Sequence, residues 1–169
     1  MIFNRRNGGG KVVQFRTIDL KKDRQSIIDF RKDSFMVSFG NTSGFDVNAY
    51  LFYVIEKVEQ YPDGFVMAEV DGGVIGQLEL SVKKDKDRRI GYIHLFYLIP
   101  SARGKGMGKA LHNYAIDFFE KRNLEEYHLR VAPDNHRARR FYEKAGMKTI
   151  GPELDGKVIR MKGSVTKSI

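Results

Sequence analysis

Residues 91–99, GYIHLFYLI, form a nearly unbroken apolar run, and SARGKGMGKAL at 101–111 follows almost directly. An apolar run of that length, rich in aromatic and β-branched residues, reads as a strand covered on both faces. Beyond the glycines, Leu111, Tyr114, Ala115, Phe118 and Phe119 recur at i, i+3, i+4, i+7 and i+8, one face of an amphipathic helix. The order strand, glycine-rich turn, helix restricts the fold to an α/β class. It also constrains the chemistry. The first turn of a helix has unpaired N–H groups and the positive end of the helix dipole. Glycines let the backbone approach a guest closely, and Arg103, Lys105 and Lys109 add countercharge. A phosphate or pyrophosphate is the natural occupant.

Two phosphate-loop templates fail. A Walker A loop ending at Gly108 would need glycine where Arg103 stands and a hydroxyl where Ala110 stands. The dinucleotide pattern beginning at Gly104 and Gly106 would need glycine at Lys109. The spacing that fits is Arg-x-x-Gly-x-Gly, as Arg103, Gly106 and Gly108.

The remaining chain reads as further elements of one domain, 11–169, behind a flexible tail at 1–10 that contains NGGG. KVVQFRTI is a first strand, and a helix runs from about Ser26 to Met36. Asp46 caps a second helix with Leu51, Phe52, Ile55 and Val58 as its apolar positions. FVMAEV and VIGQLELSV form a hairpin around DGG. KKDKDRR at 83–89 is a solvated loop. EYHLRVA alternates as a strand, and Asn135 opens a short helix that carries Ala138, Phe141 and Tyr142 and ends at Gly146. Two short strands close the chain.

LFYLIPSARGKGMGKAL, followed by LRVAPDNHRARRFYEKAGM, resembles the two core motifs of the GNAT superfamily of acyl-CoA-dependent N-acyltransferases. The likeness is close over 92–147. It implies a single α/β domain with a mixed, mostly antiparallel central sheet flanked by helices on both faces. It also implies that the amides of Arg103, Gly104, Lys105, Gly106, Met107, Gly108 and Lys109 bind the pyrophosphate of acetyl-CoA as co-substrate. The backbone of Phe96, Tyr97 and Leu98 would pair with the pantetheine arm, and Asn135 would bond it while capping its helix. Tyr142 matches the position whose phenol protonates the departing sulfur; packing beside Ala138 and Phe141 is its other reading. The base is open between His94, Glu79 and no protein group. Gln77, Glu79 and Ser81 share one face of a strand, the wetter one.

The chain has no cysteine, which removes disulfides, thiolate metal sites and a cysteine nucleophile. Attack by a primary amine in a ternary complex is the expected route, and a non-catalytic acyl-CoA sensor on the same fold is the alternative. No metal spacing links His112, His128 and His136, which read as surface or helix residues. Arg137, Arg139 and Arg140 read as a solvated helix face, with the ribose phosphate as the other possibility. A net charge of +9 suits an anionic partner, but no DNA-binding motif accompanies it, so nucleic acid is not expected. With no membrane-length apolar run and no signal sequence, a cytoplasmic protein is expected. The acceptor, a small-molecule or peptide amine, would be shaped by residues 26–60, where Phe35, Phe39 and Phe45 line a pocket or pack together. A homodimer is compatible with the fold.

Overall fold

The computed structural model describes the backbone of residues 2–6 and all of residues 10–166. Among these, eight strands form one sheet in the order β1-β2-β3-β4-β5-β6-β8-β7. The strands are β1 (Ile2–Arg6), β2 (Val12–Thr17), β3 (Phe65–Val70), β4 (Gly73–Asp85), β5 (Arg88–Leu98), β6 (Glu126–Val131), β7 (Lys148–Glu153) and β8 (Val158–Ser164). The helices are α1 (Leu20–Phe39), α2 (Val47–Gln60), α3 (Met107–Glu120) and α4 (His136–Lys144). Every strand pairing is antiparallel except β5 with β6. The mixed α/β sheet is the expected one with a strand added. Ile2–Arg6, read from sequence as part of a flexible tail, pairs with β2 from Ile2↔Arg16 to Arg6↔Val12. Residues 7–9 of that tail lie outside the described residues.

Two apolar clusters cover the two faces of the sheet. On one, Leu111, Ala115, Phe118 and Phe119 of α3 pack on Leu78, Leu80, Ile93, Leu129 and Met161. The five apolar positions of the α3 pattern are all buried. On the other, Ile27 of α1 and Tyr50 and Val54 of α2 pack on Phe65 and Met67.

Helix α1 starts six residues before the apolar pattern shows it. The Asp19 carboxylate accepts from the amides of Lys21 and Lys22 while the Asp19 amide donates to Asp23, a reciprocal N-cap. Arg16 holds the buried Asp23 in a two-pronged pair at 2.7 and 2.8 Å, so charge and capping fix a turn that apolar spacing does not mark. Asp46 caps α2 as expected, accepting from the Ala49 amide. The buried face of α2 is only in part the expected one: Leu51 and Val58 pack half-buried against the core, but the face is turned away from Phe52 and Ile55. Tyr50 and Val54 are buried, whereas Phe52 is 74% exposed and Ile55 49%. The cause is polar: the Tyr50 hydroxyl reaches a carboxylate inside the sheet, and that bond orients the helix.

Strands β5 and β6 share only the pairs Gly91↔Tyr127, Tyr92↔His128 and Ile93↔Leu129. At the same level β4 meets β5 in a shifted register, Glu79↔Leu95 and then Leu80↔Ile93, leaving His94 as the extra residue of a β-bulge. A bulge bends its strand and strengthens its twist. Beyond it, residues 94–98 have no pairing with β6 among the described residues, and the sheet is open there.

Candidate active site

The opening between β5 and β6 leads into a cleft of about 390 Å³. Its walls include Phe96, Tyr97 and Leu98 of β5, Arg103, Gly104, Gly106, Gly108 and Lys109 of the turn and α3, and Asn135 and Tyr142 of α4. Nine of the expected binding residues and the expected acid thus meet in one place. Two do not line it: Met107 turns its side chain into the core at 6% exposure, and Lys105 is exposed on the outer side of the turn. Their amides still belong to the same loop.

The turn joins two left-handed glycines to a helix start without a side-chain cap. Gly104 has φ 73° and Gly106 φ 81°, left-handed values that other residues adopt at a cost of about 1–2 kcal/mol. Gly106 is the N-cap of α3 and supplies no side-chain hydrogen bond to the helix, so the first amides of a fourteen-residue helix lack a side-chain cap. The Arg103 Nε donates to the Leu98 carbonyl at 2.9 Å, and its guanidinium lies 3.4 Å from Asp33 of α1. The Tyr97 hydroxyl donates to the same Asp33 at 2.6 Å. Burial first, then the hydrogen bond to Asp33, push the Tyr97 phenol up to about 12.

Sequence reasoning missed the contribution of α1. Ser34, Val37 and Ser38 line the cleft, and nothing in their spacing separates them from an ordinary exposed face. Arg137, read as solvated, also lines it; its guanidinium lies 2.9 Å from where a Cβ on Gly104 would sit.

Tyr142 is 7% exposed, with its ring edge-on to Phe96 at 5.9 Å. Burial, reinforced by Tyr127, drives its phenol well above the usual range. It therefore keeps its proton at neutral pH, as a general acid must before it acts. Packing and polar tip coexist. Asn135 caps α4, accepting from the Ala138 amide at 3.2 Å.

His94 and Glu79 lie on the opposite, α1–α2 face and do not line this cleft. The face of Gln77, Glu79 and Ser81 is not the wet one: all three are at most 2% exposed. Tyr50 donates to Glu79 Oε2 at 2.5 Å and Gln77 Nε2 to the same oxygen at 3.0 Å. Glu79 Oε1 has no hydrogen bond, and Arg31 stands 3.9 Å away. Burial raises the carboxyl above its ordinary value against the pull of Arg31 and Tyr50. His94 Nε2 is 2.5 Å from Ser81 Oγ. Burial, then the cations Lys83, Arg31 and Lys57, depress its imidazole to about 3. A ring so reluctant to take a proton is a weak base at neutral pH. Of the other histidines, read as surface or helix residues, His136 is exposed on α4 and His112 lies on α3, but two are buried. His112 and His128 are 3% and 2% exposed, the first bonded to the Tyr127 hydroxyl at 2.8 Å and the second to Glu126 at 2.6 Å.

A second cavity, about 1020 Å³, adjoins the first through shared Val37 and Ser38. Phe35 and Phe39 line it together with Ala132–Asp134 and the β7–β8 turn, Leu154–Lys157. Phe45 instead packs between Phe35 and Tyr50.

The acetyltransferase (GNAT) family model matches residues 25–147, which include both motifs, the open strands and the cleft. The chain belongs to the GNAT family of acetyltransferases. It is 30% identical over 114 residues to an uncharacterized N-acetyltransferase of Archaeoglobus fulgidus, covering 66% of this chain and 74% of that one. A mycothiol acetyltransferase of Beutenbergia cavernae is 32% identical over 80 residues, 47% of this chain but only 26% of the relative. The matched segment thus spans about a quarter of that longer enzyme. The spermidine N-acetyltransferase of Vibrio cholerae, solved with CoA and spermine, shares the fold at a TM-score of 0.70 and 22% identity, over 92% of this chain and 96% of that one. Among the described residues no group of three or more His, Asp or Glu side chains is placed to hold a metal, and no helix is long and apolar enough to cross a membrane.

Proposed function

We propose that this GNAT member transfers the acetyl group of acetyl-CoA to a primary amine by direct attack in a ternary complex. The observation that carries the reading is the joining of an uncapped α3 N-terminus to an unpaired β5 edge, with Tyr142 beside that edge. Acetyl-CoA supplies a pyrophosphate for the helix amides, an amide-bearing arm for strand pairing and a thioester as acyl donor. The residues fit these demands. The turn from Arg103 to Lys109 offers amides and cations to the diphosphate. The backbone of Phe96–Leu98 offers donors and acceptors to the arm, and the Asn135 side chain, beyond its capping bond, faces the same cleft.

In the transfer step the neutral amine nitrogen attacks the thioester carbonyl, the C–S bond breaks, and the sulfur leaves as thiolate. The Tyr142 phenol gives that sulfur its proton and regains one from solvent or from the amine. Deprotonation of the incoming ammonium falls to water, because His94 is too weak a base and Glu79 is sealed under Tyr50. The purified protein with acetyl-CoA and a panel of amines should release free thiol, and calorimetry should detect coenzyme A binding. Binding without thiol release from any amine would favour an acyl-CoA sensor, and absence of binding would overturn the reading.

A further inference from the structure

The sheet face shared by His94 continues beyond the helices. Tyr127, Leu129 and Met161 point into the α3 core, so the alternate residues of β6 and β8 point the other way. There Arg130 pairs in register with Arg160. The two guanidiniums grip Glu153 at 2.8 and 2.9 Å, and Arg160 also reaches His128 Nδ1 at 3.3 Å. From β4, Lys83 lays its ammonium 4.1 Å from the centre of the Tyr92 ring, with the Arg160 guanidinium 5.8 Å from the same ring. Tyr92 in turn packs 4.8 Å from His94, at the mouth of the β5–β6 opening.

Lys83 has no carboxylate within ion-pair distance among the described residues. Partial burial first, then the cations Arg130, Arg160 and Lys57, lower its ammonium below the ordinary value against the opposing pull of Glu153. Glu153 is shared between two arginines and Glu126 is taken by His128 and Arg88. Cations gathered over one aromatic ring with a single shared carboxylate repel one another, and an arriving anion relieves that repulsion.

We propose that the amine acceptor carries a carboxylate or phosphate group, held by Lys83, Arg130 and Arg160 over Tyr92, while its amine reaches the β5–β6 opening. This rests on the acetyltransferase reading and adds a substrate class to it. A patch for nucleic acid is the competing use of these cations, but Tyr92 is buried beneath them and offers no ring for a base to stack on.

The test uses matched acceptors that differ only in the tail: a dipeptide against its carboxamide, and phosphoethanolamine against ethanolamine. The anionic member of at least one pair should show kcat/KM higher by about tenfold, as one charge-assisted hydrogen bond would give. Lys83→Gln should narrow that ratio to a few-fold by raising KM for the anionic member. The two pairs separate carboxylate from phosphate. Equal use of acid and amide, with spermidine preferred to both, would overturn this inference and leave the acetyltransferase reading standing. Should coenzyme A bind but no acceptor turn over, the comparison moves to thermal shifts of the coenzyme A complex. Stabilisation by the acid alone supports the proposal, and equal shifts overturn it. Loss of coenzyme A binding itself would sink the parent reading as well. Salt-sensitive binding of random DNA that Lys83→Gln abolishes, without an acid preference, would assign the face to nucleic acid instead.

Discussion

The Arg31 guanidinium of α1 donates to the carbonyl of His94, the bulged residue of β5, at 3.3 Å. The same guanidinium stands 3.9 Å from the buried Glu79 and within 5.8 Å of the Phe35 and Tyr50 rings. One side chain of α1 is thus tied to the bulge at which the two central strands part, and Asp33 two residues on is tied to Tyr97 and Arg103 beyond it. The first helix helps hold the cleft open as well as lining it.

Glu79 should make the fold less stable as pH rises. Its carboxyl is raised above its ordinary value chiefly by burial, so the native state holds a proton that the unfolded chain has released. Stability from this group is therefore full below about 4.3, the unfolded value, and declines as pH climbs toward the native one. Glu79→Gln removes the titration. Urea denaturation across pH 4 to 8 should show the variant gaining on the parent as pH rises; a constant difference between the two would disprove it.

His94 produces the opposite slope. Its native value near 3 lies below the unfolded value of about 6.5, so the unfolded chain binds the proton first. Stability from the neutral ring is intact above about 6.5 and is lost as pH falls toward 3. His94→Gln should flatten the acid limb of the same titration. It should also leave kcat/KM without a new inflection near 6.5, since the imidazole does not titrate there. An inflection near 6.5 in the parent that the variant loses would make His94 the base after all.

Gly106→Ala should weaken coenzyme A binding and lower stability by about 1 kcal/mol, because φ 81° at the α3 N-cap strains any side chain. Gly104→Ala should act differently, since the new methyl meets the Arg137 guanidinium at 2.9 Å as well as a φ of 73°. Displacing that flexible cation from the cleft should cost affinity beyond the strain. Calorimetry with coenzyme A and thermal denaturation of both variants separate the two effects, and unchanged affinity in both would remove the turn from the binding site.

How much of this was legible in the sequence depended on what carried the information. The strand, turn and helix around Arg103 were readable because apolar periodicity and glycine spacing are local, and α3 buries the five positions its pattern names. The edge strand Ile2–Arg6 was hidden because it is held by backbone pairing to β2, which leaves no side-chain signature beside a glycine run. The start of α1 was hidden because Asp19, Asp23 and Arg16 make it with polar bonds. Alternation put Gln77, Glu79 and Ser81 on one face correctly, but it gave no sign of the helix whose Tyr50 seals that face. Arg137 and the Ser34–Ser38 stretch join the cleft only through tertiary approach. The α1 residues were unreadable for that reason, and Arg137, inside the second motif, was read as solvated because spacing does not say which of three neighbouring arginines faces the cleft.

Tyr142 provides the most direct test of the transfer step. Its phenol is buried, holds its proton well past neutral pH and stands edge-on to Phe96 on the open strand. If it protonates the departing sulfur, Tyr142→Phe deletes one oxygen and keeps the packing volume, so the fold and the grip on coenzyme A should survive. A general acid contributes on the order of 10²-fold or more, and kcat should fall by that factor while coenzyme A affinity stays within about twofold. The loss should also be smaller for an acyl donor whose thiol is more acidic, because a better leaving group needs less help from a proton. Equal losses in kcat and in affinity would mark Tyr142 as a packing residue, and an undiminished kcat would pass the proton to another donor.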